Sequence, residues 1–303
     1  MSMPIANQNQ ITSAFIQQFH DTFDVATQQN ESRLLKTVTN RGRINGVSFT
    51  INDLGNVEME DYERFSDTTW QIPEAGVRTV IMDDKKLFIP IEHSDLPKLR
   101  ANPQDKYAKI WLSARERKVD ETIYKALLGP ITRHTVDDSG TKQITNVTLP
   151  TKQIILSSGV GFTKEKLVLA KSFFRDNECD EENGEEITIL YNSAMLSQIL
   201  LDTTLTSADF MSVKMLQEGT LSKKWLGINW VPYNKLDNGA GGDKERRTVM
   251  YTKTSTHYGD ADICQFKINE RADKNNIMQM GGVQSMAAGR SNENKVVAID
   301  FTI

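Results

Sequence analysis

Residues 103–130, PQDKYAKIWLSARERKVDETIYKALLGP, decide the reading of this chain. Pro103 stands where a helix tolerates proline, in its first turn; Asp105 puts negative charge near the positive end of the helix dipole; Gly129-Pro130 supplies the stop. The interval predicts a helix over 103–128, about 38 Å long at 1.5 Å per residue. Its apolar positions, first Tyr107, Ile110, Trp111 and Ala114, then Val119, Ile123, Ala126 and Leu127, drift around the axis instead of keeping one seam. A helix patterned this way is a spine that crosses under different neighbours along its length.

Upstream, Val47, Phe49 and Ile51 alternate as in a strand that stops at Asn52-Asp53-Leu54-Gly55, and a second strand runs from Val77 to Met82, with Leu87 to Ile91 continuing it. Between them, residues 56–76 are polar and charged, with Tyr62, Phe65 and Trp70 as isolated aromatics. Two strands bracketing such a stretch describe a protruding hairpin arm with little apolar surface to hold it down, so the arm needs a partner chain to become ordered. Further upstream, Ile11, Phe15, Ile16, Phe19 and Phe23 form the stripe of an opening helix.

Downstream, strands are predicted at Gln143–Leu149, Gln153–Leu156, Ile187–Tyr191, Leu226–Pro232, Thr248–Lys253, Gln265–Glu270 and Lys295–Ile303. Helices are predicted at Thr163–Phe174, with Thr163 as N-cap, at Ser193–Leu200 and at Ser207–Leu216. The fold class is α+β.

Composition narrows the function. A net charge of −4 provides no field for sequence-specific DNA binding. Two cysteines, Cys179 and Cys264, in unrelated contexts fit a reducing compartment, and neither a signal peptide nor a membrane-spanning run is visible.

The local motifs are weak as chemistry. Asp176 to Glu186 alternates acids like a calcium loop, but Glu181 stands where the turn glycine belongs and Ile187 where a bidentate carboxylate belongs. Gly239-Ala240-Gly241-Gly242 lacks P-loop spacing, so it reads as a flexible loop tip. His20, His93, His134 and His257 are scattered, and Glu92-His93-Ser94-Asp95 has triad residue types without a nucleophile elbow. Arg33, Lys36, Arg41 and Arg43 form a cationic group that reads first as charged surface and second as an intersubunit or nucleic-acid contact. No residue is singled out as catalytic, cofactor-binding or metal-ligating, and no enzyme is expected.

The order of the pieces carries more. FIQQFHDTF (15–23), QQNESRLLKTV (28–38), the strand-flanked arm and PIEHSDLPKLRANPQDKYAKIWLSARERKVDETIYKALLG (90–129) resemble major capsid proteins of tailed bacteriophages with the Hong Kong 97 fold. The block YNSAMLSQILLDTTLTSADFMSVKMLQEGTLSKKWLGINWVPYNKL (191–236) resembles the family's axial-domain passage, and NKVVAIDFTI (294–303) its last peripheral-domain strand. The resemblance implies an amino-terminal arm at 1–40, an extended loop at 41–85, a peripheral domain at 86–185 with spine helix 103–128, an axial domain at 186–276 and a return strand at 277–303. It further implies a self-assembling icosahedral shell of pentamers and hexamers around double-stranded DNA bound without sequence specificity. The virion is then its location, after assembly in the bacterial cytoplasm. A scaffolding protein, a portal protein and a decoration protein are the implied partners, and no membrane or cofactor is. Some members weld subunits through a lysine in the extended loop, but residues 40–84 hold no lysine, which argues against that cross-link here. An encapsulin-like cellular nanocompartment is the alternative of the same architecture; a hydrolase using Glu178, Asp180 or Glu182 is the alternative from another class.

Overall fold

The computed structural model describes residues 28–62, 64–65, 67–68, 70–91, 104–137, 140–201, 224–274 and 276–303. The expected helices at 11–30 and Ser207–Leu216 lie wholly or mainly outside these residues, as do Pro103, His20, His93 and the Glu92–Asp95 segment. In chain order the elements are β1 (Thr39–Arg43), β2 (Ser48–Leu54), β3 (Ala75–Ile81), β4 (Asp83–Ile91), α1 (Gln104–Leu128), β5 (Ile131–Val136), β6 (Lys142–Val147), β7 (Ile154–Ile155) and α2 (Lys164–Asp176). They continue with β8 (Ile187–Tyr191), α3 (Ser193–Leu201), β9 (Lys224–Trp225), β10 (Ile228–Pro232), β11 (Asn238–Gly239), β12 (Gly242–Thr252), β13 (Thr256–Arg271), β14 (Ile277–Arg290) and β15 (Val296–Thr302). The α+β class is as expected.

The chain divides into two compact units, one of residues 1–32, 83–118 and 261–286, the other of residues 33–82, 119–260 and 287–303. Helix α1 and strands β13 and β14 each run on from one unit into the other.

In the first unit β4 pairs antiparallel with β14, from Ile91 opposite Met278 to Asp83 opposite Met286, and β13 flanks β14 on its other side. Gly281 permits that approach: a Cβ there would be driven into the Leu87 carbonyl oxygen and the Phe88 side chain. The amino-terminal half of α1 keeps Tyr107, Ile110, Trp111 and Ala114 only half-buried, whereas in the second unit its other half buries Val119, Ile123, Tyr124 and Leu127. The drifting apolar pattern thus corresponds to two different environments along one helix.

The second unit has its core in a sheet of order β7-β15-β12-β8-β10-β9. β8 is buried throughout, as are Val296 to Phe301 of β15, because both carry near-continuous apolar runs, broken only by Thr188 and Asp300, suited to a sheet covered on both faces. Leu167, Ala170 and Phe174 place one buried stripe along α2. Phe162 stands edge-on to both Trp230 and Phe301, an arrangement favoured by the ring quadrupoles.

Several expectations are corrected. Thr163 occupies the N-cap position of α2, but its side chain makes no capping bond. Leu226 and Gly227 form a left-handed turn (φ 55° and 79°), so β10 begins at Ile228 and its partner β9 lies before the turn. Gly239 and Gly242 pair across a hairpin, making β12 longer than expected at its start, and β13 runs from Thr256 instead of Gln265. Strands β1, β5 and β14 were not foreseen at all.

Candidate assembly surface

β2 and β3 form the expected hairpin, with Leu54 opposite Ala75 at its outer end and Ser48 opposite Ile81 at its base. The base does not stand alone. β5 adds to β3 and β6 to β5, giving a sheet of order β2-β3-β5-β6 that buries Phe49, Ile51, Val80 and Ile131 on one face. The arm therefore has its own rooted platform, where a weakly held hairpin was expected.

Its root is an ionic cluster. Arg78, 4% exposed, donates to both Glu293 oxygens at 2.5 and 2.8 Å and to Asp53 Oδ2 at 3.1 Å. Arg133 donates to the same Asp53 oxygen at 2.9 Å and to Glu74 at 2.8 Å. Arg290, fully buried, donates to Glu293 at 3.1 Å and to the carbonyls of Leu127 (2.8 Å), Gly129 (3.1 Å) and Val147 (3.2 Å). Only a guanidinium fork reaches so many acceptors at once. The cluster ties β2, β3, β5, the end of α1 and the β14–β15 corner together.

Gly76 leaves the space that this cluster fills: a Cβ there would collide with Asp53 Oδ1 and stand 2.6 Å from Arg133 Nε. Gly76→Ala is therefore expected to destabilise the chain by about 1–3 kcal/mol, through displacement of a paired, part-buried Asp53. Chemical unfolding checks it, and an unchanged midpoint with unchanged slope would contradict the role.

Burial by itself would raise the Glu293 carboxyl, but the bonds from Arg78 and the charges of Arg78 and Arg290 outweigh it and hold the group below its ordinary 4.5. A depressed carboxyl contributes stability that is complete above its unfolded value and is lost as pH falls through its folded value. Acid unfolding is accordingly expected below about pH 4.5, and Glu293→Gln should be less stable at neutral pH while showing a shallower loss on acidification. Parallel pH dependences for the two proteins would contradict this. Glu185 is depressed for a related reason: burial pushes it upward, and bonds from Lys295 at 2.8 Å and from Thr254 prevail.

Beyond the rooted strands, every described residue from Gly55 to Glu74 is exposed, including Val57, Met59, Tyr62, Phe65, Trp70 and Ile72. Among the described residues, all large apolar side chains at least 85% exposed lie in this tip. Exposed apolar groups concentrated this way mark a surface awaiting a partner.

The segment before β1 is tied down by Asp120, fully buried, which accepts from the backbone amides of Arg33 (3.2 Å) and Leu34 (3.1 Å). Asp120 shares the stripe of Val119, Ile123, Tyr124 and Leu127, and an acid on such a stripe is the signal in the sequence that it has a buried task.

The motifs that drew notice in the sequence are structural here. In the acidic loop, Asp180 and Glu182 pair with Arg175 and Glu181 pairs with Lys171; among the described residues no cluster is arranged to hold a metal ion. In the glycine loop, the amides of Ala240 and Gly241 already donate to Asp300 (3.1 Å) and Glu245 (2.6 Å), so they are not aimed at a phosphate. His134 lies in β5 and His257 in β13, apart from each other; burial, then Arg41 and Lys295, push His257 below its usual value. Arg33 donates to the Pro232 carbonyl at 3.0 Å and Arg41 to His257 at 3.4 Å, so part of the cationic group is engaged within the chain. No described helix is long and apolar enough to cross a membrane.

Among solved structures, the chain is similar to the capsid of cyanophage Pam1, at 13% identity over all of this chain and 98% of that one, with a TM-score of 0.68. It is also similar to a chain of Mycobacterium phage Che8 (12%, 93% and 96%, 0.67) and to the capsid of cyanophage P-SCSP1u (15%, 94% and 93%, 0.63). At these identities the likeness is one of fold, and the fold is the Hong Kong 97-like one expected from the sequence. No curated protein shows significant sequence similarity to the chain. The profile of the phage capsid protein family matches residues 11–303, so on sequence and architecture together the chain belongs to the phage capsid protein family.

Proposed function

We propose that this chain is the principal subunit of an icosahedral head enclosing the double-stranded DNA of a tailed phage. As a member of the capsid family it is a structural protein of the virion that assembles with its own copies into a shell. The finer reading is that pentamers and hexamers close the shell, with residues 186–276 as the axial domain, 86–185 and 277–303 as the peripheral domain, 1–40 as an amino-terminal arm and 41–85 as the extended loop. A scaffolding protein and a portal guide assembly in the bacterial cytoplasm, a decoration protein binds outside, and the DNA is held without sequence readout. The role is mechanical and not enzymatic.

The observation that carries this reading is the hairpin: a base locked by buried ion pairs and a tip whose apolar side chains are left in water. A rigid lever with an unsatisfied end strengthens an assembly only if the end lands on a neighbouring subunit, where many modest interfaces add. The test is to express the full chain, with a scaffolding protein where one is required, and to examine the product by electron microscopy and sedimentation. Closed particles containing nucleic acid after packaging are expected. Monodisperse monomer under every condition would overturn the shell, and particles filled with a cargo enzyme would favour the nanocompartment.

A further inference from the structure

The dipeptide Asn-Gly occurs three times in the chain, at 45–46, 183–184 and 238–239. In this pair an asparagine is open to attack by its own backbone, because the glycine puts no Cβ in the path between its amide nitrogen and the asparagine Cγ. How readily the attack occurs depends on how firmly the folded chain holds the two groups, and the three sites differ in that respect.

Asn183 and Asn238 are held. The Asn183 side-chain amide donates to the Glu178 carbonyl at 2.7 Å, and the Gly184 nitrogen is occupied in donating to the Glu181 carbonyl at 3.1 Å. The Asn238 side chain donates to Asp243 at 2.6 Å and accepts from Arg246 at 2.6 Å, and its backbone pairs with β12 opposite Arg246. Asn45 is exposed, and among the described residues neither its side chain nor the Gly46 nitrogen has a hydrogen-bond partner. A Cβ built on Gly46 would meet only the Ser48 carbonyl oxygen, at 3.6 Å, so the peptide has room to turn.

We propose that Asn45 is a self-modification site, converted by the Gly46 nitrogen through a cyclic imide to aspartate and isoaspartate. Solvent hydroxide takes the Gly46 amide proton, and the nitrogen attacks Asn45 Cγ. The N–Cγ bond forms, the Cγ–Nδ2 bond breaks, and ammonia leaves with a proton drawn from water, closing a five-membered imide. Water then adds to either imide carbonyl and cleaves its bond to nitrogen. Opening at the Cγ carbonyl gives aspartate; opening at the main-chain carbonyl gives isoaspartate, whose backbone runs through the side chain and is one methylene longer. Nothing is oxidised or reduced: one amide and one water become one carboxylate and one ammonium.

The place gives the change a consequence. Residues 45 and 46 are the whole link between two anchors, since the Ile44 amide donates to the Asp260 carbonyl of β13 at 2.8 Å and the Val47 carbonyl accepts from the Met82 amide, at the base of the hairpin, at 2.8 Å. A longer and newly negative link there slackens the root of the arm irreversibly. The inference does not depend on the shell reading.

For the test, purified full-length chain is incubated in mildly alkaline buffer, sampled over time, digested under acidic conditions and read by tandem mass spectrometry that resolves aspartyl from isoaspartyl products. Conversion at Asn45 is expected at least about tenfold faster than at Asn183 or Asn238, each of which must first release two hydrogen bonds. In urea the three sites should converge to within about threefold, because only the fold separates them. Asn45→Gln should abolish conversion at that position without disturbing the fold, its side chain having no hydrogen-bond partner to lose. In the isoaspartyl fraction, hydrogen exchange at the Ile44 and Met82 amides should quicken by about threefold or more. Equal native rates at the three sites, faster conversion at Asn183 or Asn238, an Asn45 lead that persists in urea, or unchanged exchange at Ile44 and Met82 would each overturn the proposal.

Discussion

Arg290→Met is expected to lower the unfolding free energy by about 3–5 kcal/mol, a large part of the roughly 5–15 kcal/mol that holds a typical domain together. The size follows from what the guanidinium leaves behind. Three backbone carbonyls, those of Leu127, Gly129 and Val147, lose their donor at the point where α1 ends, β5 begins and β6 ends. Leu127 is the last buried apolar residue of α1, and Gly129 closes the helix by donating to the Lys125 carbonyl at 2.8 Å. Glu293 keeps Arg78 but loses its second cation in a site shielded from water. Methionine matches the length of the stem and removes only the fork, so the loss reports polar satisfaction and not a cavity. Arg290→Lys should fall between, since an ammonium retains the charge at Glu293 but cannot serve three separated carbonyls. Urea unfolding of unassembled chain measures both, and a Met variant within about 1 kcal/mol of the parent would show the cluster to be incidental.

What could be read from the sequence divides along a physical line. α1 was legible within a residue because its punctuation is local, ending at Gly129-Pro130. β8 was legible because Ile187 to Tyr191 is a run of strand length that is apolar but for the β-branched Thr188. β14 was not, and its sequence IMQMGGVQSMAAGR explains why: three glycines, two alanines and two glutamines carry neither alternation nor strand propensity. Pairing with β4 and β13 makes it a strand, and its Gly281 is required by a neighbour distant in the chain. β5 was hidden in the same way, since ITRHTV has only its two ends apolar. The arm was foreseen, but the cluster that roots it was not, because Asp53, Arg78, Arg133, Arg290 and Glu293 come from segments far apart and form no local motif. The motifs that local spacing did flag, the acidic loop and the glycine loop, engage Asp180, Glu181, Glu182 and the amides of Ala240 and Gly241 in ion pairs and hydrogen bonds within the chain.

Excising residues 56–73 and closing β2 to β3 with Asn-Gly should move stability and assembly in opposite directions, the second large effect. Gly55 already donates to the Glu74 carbonyl at 2.7 Å, so the ladder reaches the cut and a two-residue turn continues its twist. The removed residues are exposed wherever they are described, and their own contacts, Gln71 to Glu60 at 2.7 Å and Arg64 over the Phe65 ring, lie in water and add little. Removing them shortens the loop by roughly three halvings at about 0.6 kcal/mol each, so the isolated chain should gain up to about 2 kcal/mol. Particle yield should nonetheless fall by at least about a hundredfold, since each shell contact forfeits the burial of several aromatic and aliphatic side chains at about 25 cal/mol per Å². Unfolding and sedimentation on the same preparation separate the two effects. A variant that is both stable and fully competent to assemble would show that the tip joins nothing. One that is destabilised would show that the tip folds back on its own chain. Only gain of stability with loss of particles fits a segment whose native contacts are all on other copies, and the sign of the stability change makes that outcome distinct from simple misfolding.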